Sequence, residues 1–530
     1  MRVMKNVAPA RLALISAGVV TAICALTSVA LPFFVDHGII AYVGSAYVRG
    51  GLPYVNIWDT KGPLAFAPYA VAELLFGRTM WGVRIFDVLF CGAGSYVFFR
   101  GVRPLTSSLV AAWAAFALYF WTASTGWVST AQPESWVGVL CVFAIAPLLA
   151  PNQDLKVSRL ALSGLLIGCA GLVKPFYLVV GIAPFLSIAI AAGLTFQRRA
   201  VFTLALALGV AAPIILALAY FAIRGGLAQA IEVHILFTLS TYVGLRPISA
   251  LDGWTQFLAR PTVALLTPFI LLAVWTLRKQ PQVLLPPLGW LAALMFGIAL
   301  QGKYLTYYWI PLEAPLLILA ALGAHSLGST FKGVGVPGLF NIVAAFSFAA
   351  QVCATPLYDA AKFAYHFVWN RSPDHYYASY SVFSNGAMLF AASDELHAAQ
   401  YLKANTNPGD GVFVWGVDAA AAYLADRPTP SRFISQEPLI LPGPYLKPYQ
   451  AETLKNLLAR PPVYIIVGRS WWHPDSKAQS LAKFSALSEL LAQNYHLDTT
   501  FGTLDLYRRN GFMLPRARSV HLNTGEQAPL

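Results

Sequence analysis

Eleven apolar runs dominate the chain as far as Ala354. They lie at 12–34, 83–100, 107–123, 135–150, 160–174, 176–195, 200–222, 260–277, 284–300, 309–327 and 336–354. A helix needs about 20 apolar residues to cross the hydrocarbon core of a bilayer, and these runs meet or approach that length. In lipid the backbone must satisfy its own hydrogen bonds, so long apolar runs specify membrane helices. The composition agrees: 57% of the 530 residues are hydrophobic and only 11% are charged, against about 25% charged in a soluble domain. The expected fold is therefore an α-helical polytopic membrane protein of about eleven spans.

The net charge of +13 would also suit a nucleic-acid binder. Its distribution points to the membrane instead. Up to Ala354 there are 21 Lys and Arg against 9 Asp and Glu, and beyond it 15 against 14. No RNP, zinc-finger or basic-helix pattern is present. The basic residues Arg100 and Arg103, Lys156 and Arg159, Arg198 and Arg199, Arg278 and Lys279, and Lys332 all fall on one side of the span layout. The positive-inside rule makes that side cytoplasmic. The first run follows a basic start, as in a signal peptide, but it is longer than the 7–15 residues of a signal core. It is read as a retained first helix with a cytoplasmic N-terminus. The expected location is the cell inner (cytoplasmic) membrane, with the C-terminal region outside. The short apolar segment 63–76 is read as a helix lying at the outer interface. Read as a true span, it would invert every later loop.

Beyond Pro356 the polarity rises and no further span follows. GVFVWG (411–416) and VYIIVG (463–468) read as strands, and 394–405 and 479–494 as helices. The expected division is a transmembrane domain over 1–355, a linker over 356–389, an external α/β domain over 390–512 and a tail over 513–530. The five cysteines, Cys24, Cys91, Cys141, Cys169 and Cys353, lie in or beside apolar runs and suggest neither a disulfide framework nor a thiolate site.

The loop after the first run, VDHGIIAYVGSAYVRGGLPYVNIWDTKGPL, gathers charge at a membrane surface, where charge is costly to keep. It holds Asp36-His37, the turn Gly50-Gly51-Leu52-Pro53-Tyr54, and Asp59-Thr60-Lys61-Gly62-Pro63-Leu64. Val83-Arg84, Gly171-Leu172-Val173-Lys174-Pro175 and GKYLTYYWIPLEAPL (302–316) follow in order. Together these resemble the GT-C superfamily of integral-membrane glycosyltransferases, in the branch of the protein O-mannosyltransferases and the lipid A aminoarabinose and galacturonic acid transferases. The family has a second acid beside the first; here that position is His37.

The resemblance implies transfer of a sugar, with inversion, from a polyprenyl-phosphate donor to an acceptor hydroxyl at the outer face, in cell-envelope glycan or glycolipid assembly. It implies Asp36 as general base, the alternative being an acid that merely ends the first helix or anchors an interfacial helix. It implies Lys61, Lys174, Lys303 and Arg84 for the donor phosphate. Snorkelling is the alternative for Lys174 and, less so, for Lys303 with its following aromatics, and Arg84 also suits bracing Asp87. His37, Asp59, Glu134, Tyr54, Tyr307, Tyr308 and His234 are candidates for sugar or acceptor, with Glu232 weaker. The bland alternatives are a loop ion pair for Asp59, a helix-start acid for Glu134, and an interfacial belt for the tyrosines. With no HExxH, clustered His or Asp-x-Asp, no metal or other cofactor is expected. The partners are the membrane lipid, the lipid-linked donor, and a glycolipid, glycan or protein acceptor.

The rivals are a secondary transporter or flippase, a surface-polysaccharide polymerase or ligase, and a non-catalytic scaffold. A transporter would bury its charges near the midplane, often between repeats; here the charges sit toward one face. The C-terminal domain is expected to cap the site without supplying the base. Arg427 and Arg432 flank its Pro-rich turn, either guiding an acidic acceptor or lying in a solvated loop.

Overall fold

The computed structural model describes residues 7–150, 155–245, 248–330, 335–384, 387–468 and 477–514. Lys332 and nearly all of the 513–530 tail lie outside them. In chain order the helices are α1 (Val7–Ser28), α2 (Val35–Val48), α3 (Ala67–Phe76), α4 (Trp81–Val102), α5 (Ser108–Ser124), α6 (Pro133–Ile145), α7 (Val157–Val173) and α8 (Ile182–Ile190). They continue as α9 (Phe196–Ile223), α10 (Leu227–Ile231), α11 (Ala250–Leu258), α12 (Pro261–Leu277), α13 (Pro281–Gln301), α14 (Glu313–Thr330), α15 (Gly335–Phe363) and α16 (Pro373–Ala378). Then come strands β1 (Ser381–Ser384) and β2 (Ala387–Ala391), helix α17 (Ala392–Asn405), β3 (Val412–Trp415), α18 (Ala419–Ala425), α19 (Glu437–Ile440) and α20 (Leu446–Ala459). The chain ends on β4 (Tyr464–Val467), α21 (Lys477–Ala482), α22 (Ser485–Asn494), β5 (Tyr495–Phe501) and β6 (Leu504–Arg509).

The chain folds into two compact units. One is Met1–Pro32 with Thr60–Pro373; the other is Phe33–Asp59 with Asp374–Leu530. The first external loop, expected to go with the membrane part, thus belongs up to Asp59 with the C-terminal chain.

In the first unit, every apolar run coincides with a helix. Among the described residues, five helices are long and apolar enough to cross a bilayer. These are Trp81–Leu105, Phe196–Ile223, Pro281–Gln301, Thr306–Gly328 and Phe340–Trp369. A sixth forms if α11 and α12, bent by 75°, count as one. Helices α5, α6 and α7 are apolar but shorter. The 63–76 segment is a 3-10 turn over Pro63–Ala65 followed by α3, and α3 at ten residues is about 15 Å long, half a bilayer core. Gly77, with φ of 70°, ends it. Small residues set a close helix pair: a Cβ on Gly164 of α7 would lie 2.1 Å from Leu206 O of α9, and one on Gly209 of α9 would lie 2.2 Å from Ala161 O. This is the close backbone approach that membrane helices use in place of a hydrophobic driving force. On α9, Leu204, Leu208, Ile215 and Leu216 are exposed, which suits a lipid-facing stripe. The chain is a multi-pass membrane protein.

The second unit holds a four-stranded sheet in the order β3-β4-β6-β5, with β3 and β4 parallel and the other pairings antiparallel. Strands β3 and β4 are buried along their whole length, as parallel strands covered on both faces must be. The expected strands at 411–416 and 463–468 and the helix at 394–405 are present. The expected helix at 479–494 is two helices, α21 and α22, separated at Lys483 and Phe484. Residues 35–48, expected as loop, form α2. Their sequence, VDHGIIAYVGSAYV, is buried from Gly38 to Ala46, so amphipathic spacing is hidden by apolar residues all round. Helix α2 packs against α18.

Candidate active site

In the first unit the two Lys-Pro elements meet. Val173 ends α7 because Pro175 forces Lys174 into an extended conformation. Gly62 N donates to Val173 O at 3.0 Å. A Cβ on Gly62 would fall 2.0 Å from Leu172 O, so only glycine admits this contact. Lys61 and Lys174 are thereby brought into electrostatic range of each other and of Tyr308. The Lys174 ammonium lies 4.1 Å from the centre of the Tyr308 ring and is ion-paired with Glu134 Oε1. Glu134 is fully buried, and its Oε2 accepts no hydrogen bond among the described residues. Tyr307 lies beside Tyr308, with ring centres 5.2 Å apart. Lys61 and Lys174 both bring positive charge to this place, and fixed positive charge held where water is scarce suits an anion.

Glu134 owes its place to α4. Arg84 and Asp87 lie one turn apart on that helix and grip the two ends of a single peptide group. Arg84 Nη1 donates to Thr130 O at 2.9 Å and to Thr130 Oγ1 at 2.7 Å, while Ala131 N donates to Asp87 Oδ2 at 3.0 Å. Ala131 sits at φ of 57°, an unfavourable conformation for a residue with a Cβ. Tyr69 Oη donates to Ala131 O, and Trp136 Nε1 donates to Asp87 Oδ1 at 2.9 Å. Helix α6 then starts at Pro133, with Glu134 in its first turn. Arg84 also donates to Pro32 O and Trp127 O. Its guanidinium therefore braces backbone, more than the expected Asp87 alone.

Lys303 is buried. Its ammonium donates to the carbonyls of Tyr242 and Leu245 and lies 4.1 Å from the Tyr242 ring centre. It closes the carboxyl end of a π-helix over Glu232–Tyr242. The His234 Nδ1 of that helix is 2.9 Å from Thr60 O, next to Lys61. A second buried acid, Glu313 at the start of α14, accepts from Thr122 Oγ1 at 2.7 Å. Glu313 is absent from the sequence-based candidates although it lies inside the late motif.

In the second unit, Asp36 occupies the first turn of α2 and is half-buried. His37 follows it with its ring fully buried, and Nδ1 accepts from Phe34 N at 2.8 Å. The imidazole thus caps the helix start, as the acid of a capping box does. Tyr54 is buried at φ of 69°; its amide donates to Ile57 O, and its carbonyl accepts from Arg432 Nη1 at 2.9 Å. Burial pushes the Tyr54 phenol well above its ordinary pKa, with Tyr47 and Asp59 adding to it. Asp59 is buried at the end of this segment. Arg427 and Arg432 do not lie in a solvated loop. Arg427 is buried, with bonds to Thr406 Oγ1, Thr406 O and Ala425 O, and Arg432 is paired with Glu452. Both close the backbone of this unit on itself.

No family model matches the chain, and no curated protein matches it. Solved structures do. ArnT from Cupriavidus metallidurans bound to undecaprenyl phosphate has a TM-score of 0.61 at 13% identity, covering 93% of this chain and 97% of that one. Its apo state has a TM-score of 0.60 at 14% identity, covering 94% and 98%. The oligosaccharyltransferase AglB from Archaeoglobus fulgidus, in complex with an inhibitory peptide and a dolichol-phosphate, has a TM-score of 0.47 at 13% identity, covering 94% and 75%. At these identities the ArnT likeness is one of fold alone: this chain shares with that protein the fold of a polytopic helical membrane protein with a C-terminal α/β domain.

Proposed function

We propose that this chain transfers a sugar from a polyprenyl-phosphate donor to an acceptor hydroxyl at the outer face of the cytoplasmic membrane. The observation that carries the reading is the meeting of Lys61 and Lys174 beside Tyr308, in a fold shared with a protein that binds undecaprenyl phosphate. Asp36 takes the proton of the acceptor hydroxyl, whose oxygen attacks the anomeric carbon. The bond from that carbon to the phosphate oxygen breaks on the opposite face, so the configuration inverts. The lipid phosphate leaves with the charge of the broken bond, and Lys61 and Lys174 hold it. Glu134 keeps Lys174 in place. Arg84 and Lys303, engaged on backbone carbonyls, hold the loops around the lysines. Tyr307 and Tyr308 face the sugar, His234 supports the loop that carries Lys61, and Asp59 and Tyr54 are ligands of sugar or acceptor. The acceptor is a glycolipid, glycan or protein of the cell envelope.

The test is turnover by the purified protein with a panel of undecaprenyl-phosphate-linked sugars and membrane extracts as acceptor. Asp36→Asn should fold normally and lose activity by about 10²–10⁴. Lys61→Met should weaken binding of undecaprenyl phosphate at least tenfold. Wild-type turnover in the first variant removes Asp36 from the mechanism, and wild-type binding in the second removes the phosphate site.

A further inference from the structure

We infer that the C-terminal α/β unit positions the base: Ala420, at the head of α18, and Glu395, on α17, fix helix α2 and with it Asp36. This rests on Asp36 being the base. The contact is a backbone one. A Cβ on Gly38 would lie 2.6 Å from Ala420 N and 2.7 Å from Ala420 Cβ, so α2 and the start of α18 touch at Gly38. The same face of α2 continues one turn on, where Tyr42 Oη donates to Arg427 O, and ends in the Arg49–Asp426 ion pair. Residues 38, 42 and 49 recur at helical spacing, so one stripe of α2 lies along α18 and the turn after it. Rings close the other end: Phe33 stands 6.2 Å from Tyr423, and Phe34 stands 5.3 Å from Phe390.

Asp36 precedes Gly38 by two residues, about 200° around the helix. The stripe against α18 therefore leaves Asp36 on the other side, where it is only half-buried. Glu395, in the first turns of α17, is buried, and its carboxyl lies within electrostatic reach of the Ala420 amide, the same nitrogen that Gly38 approaches. A shift of Ala420 passes to Gly38 without slack, because only the Ala420 backbone and its rigid Cβ stand against Gly38. A displacement of about 1 Å at a reacting group costs about 10²-fold in rate.

The experiment uses the full chain in detergent. Three variants are compared with wild type: Gly38→Ala, Glu395→Ala and Glu395→Gln. Turnover is read as release of undecaprenyl phosphate from undecaprenyl-phosphate-linked sugars made from bacterial membranes. Gly38→Ala and Glu395→Ala should lose at least tenfold in kcat with donor KM unchanged within about twofold. Glu395→Gln keeps a carbonyl oxygen within reach of the Ala420 amide and should keep kcat. Folded Gly38→Ala and Glu395→Ala proteins with wild-type kcat overturn the inference, as does an equal loss in Glu395→Gln. Hydrogen exchange on the wild type gives a reading that needs no variant. Amides of α2 should exchange with those of α18 as one cooperative unit; exchange of α2 more than 100-fold faster also overturns it. Asp36→Asn separates the two readings. If that variant turns over normally, the base assignment fails whatever the exchange data say. If it is inactive while Gly38→Ala is normal, only the positioning role fails.

Discussion

Gly62 carries more of the proposed chemistry than either lysine beside it, because it sets their separation. Its amide is bonded to Val173 O, and its missing Cβ is what lets Leu172 O approach. Its φ of −68° is ordinary, so an alanine there is not strained by conformation. The cost is steric, and backbone must move to relieve it. Overpacking of this kind costs about 1–3 kcal/mol. Gly62→Ala is therefore expected to fold less stably and to bind undecaprenyl phosphate at least tenfold more weakly, because Lys61 moves away from Lys174. Isothermal titration with undecaprenyl phosphate checks this. Unchanged affinity in a folded variant would show that the spacing of the two lysines does not matter. At this scale the sequence is legible where a residue type carries its own meaning. Lys174 before Pro175 reads as a helix end, and Lys61 before Gly62-Pro63 reads as the start of a turn. That these two ends meet is not legible, since 112 positions separate them and no local pattern records a tertiary contact. The grip of Arg84 and Asp87 on one peptide group is half visible, as an i, i+3 pair of charges inside an apolar run. Its target, the Thr130–Ala131 peptide, is not.

Among elements, α17 and the start of α18 form a charge-sensitive junction outside the membrane spans. Glu395 meets Asp418, just before α18, and its own neighbour Asp394, which accepts from Thr503 N and Oγ1. Burial raises the Glu395 pKa well above the ordinary carboxyl value, and the negative charge of Asp418 raises it further. The folded state therefore holds a proton that the unfolded chain, with a carboxyl near about 4.3, gives up. Stability from this group is fully present below that value and falls as pH rises from it toward the raised folded pKa. Each tenfold difference in proton affinity between the two states is worth about 1.4 kcal/mol. Glu395→Gln carries no such proton. Its thermal midpoint should fall less than that of wild type between pH 5 and pH 8, with the gap read by differential scanning fluorimetry in detergent. Equal slopes would mean that Glu395 is ionised in the fold. Helices α17 and α18 differ in legibility. The spacing of 394–405 announces α17, whereas α18 is a short alanine run with no amphipathic signal, and α2 is apolar on every side. Both of these hidden helices bury all their faces, which removes the contrast that periodicity needs.

At the scale of the whole molecule the chain passes between the two compact units three times, at Pro32/Phe33, Asp59/Thr60 and Pro373/Asp374. The second unit is thus built from two separate stretches, and neither is complete without the other. The short stretch contributes Ile39, Ile40, Ala41, Tyr42 and Val43, all buried. At about 1.5–3 kcal/mol for each large apolar side chain fully buried, their packing amounts to roughly 10 kcal/mol as an upper figure. That is of the order of the stability of a whole domain. A cut at Pro373 severs one crossing and leaves α2 seated on α18. Arg371, just before it, is exposed. A protease site inserted at Asn370–Pro373 and cleaved in the purified protein should therefore leave two fragments that co-elute on size exclusion in detergent. The same cleavage in the Gly38→Ala background should let the C-terminal fragment separate more readily, because the contact at Ala420 is the one that substitution pushes apart. Immediate dissociation of the wild-type fragments would mean that the peptide link at Pro373, not the packing of α2, joins the C-terminal chain to Phe33–Asp59.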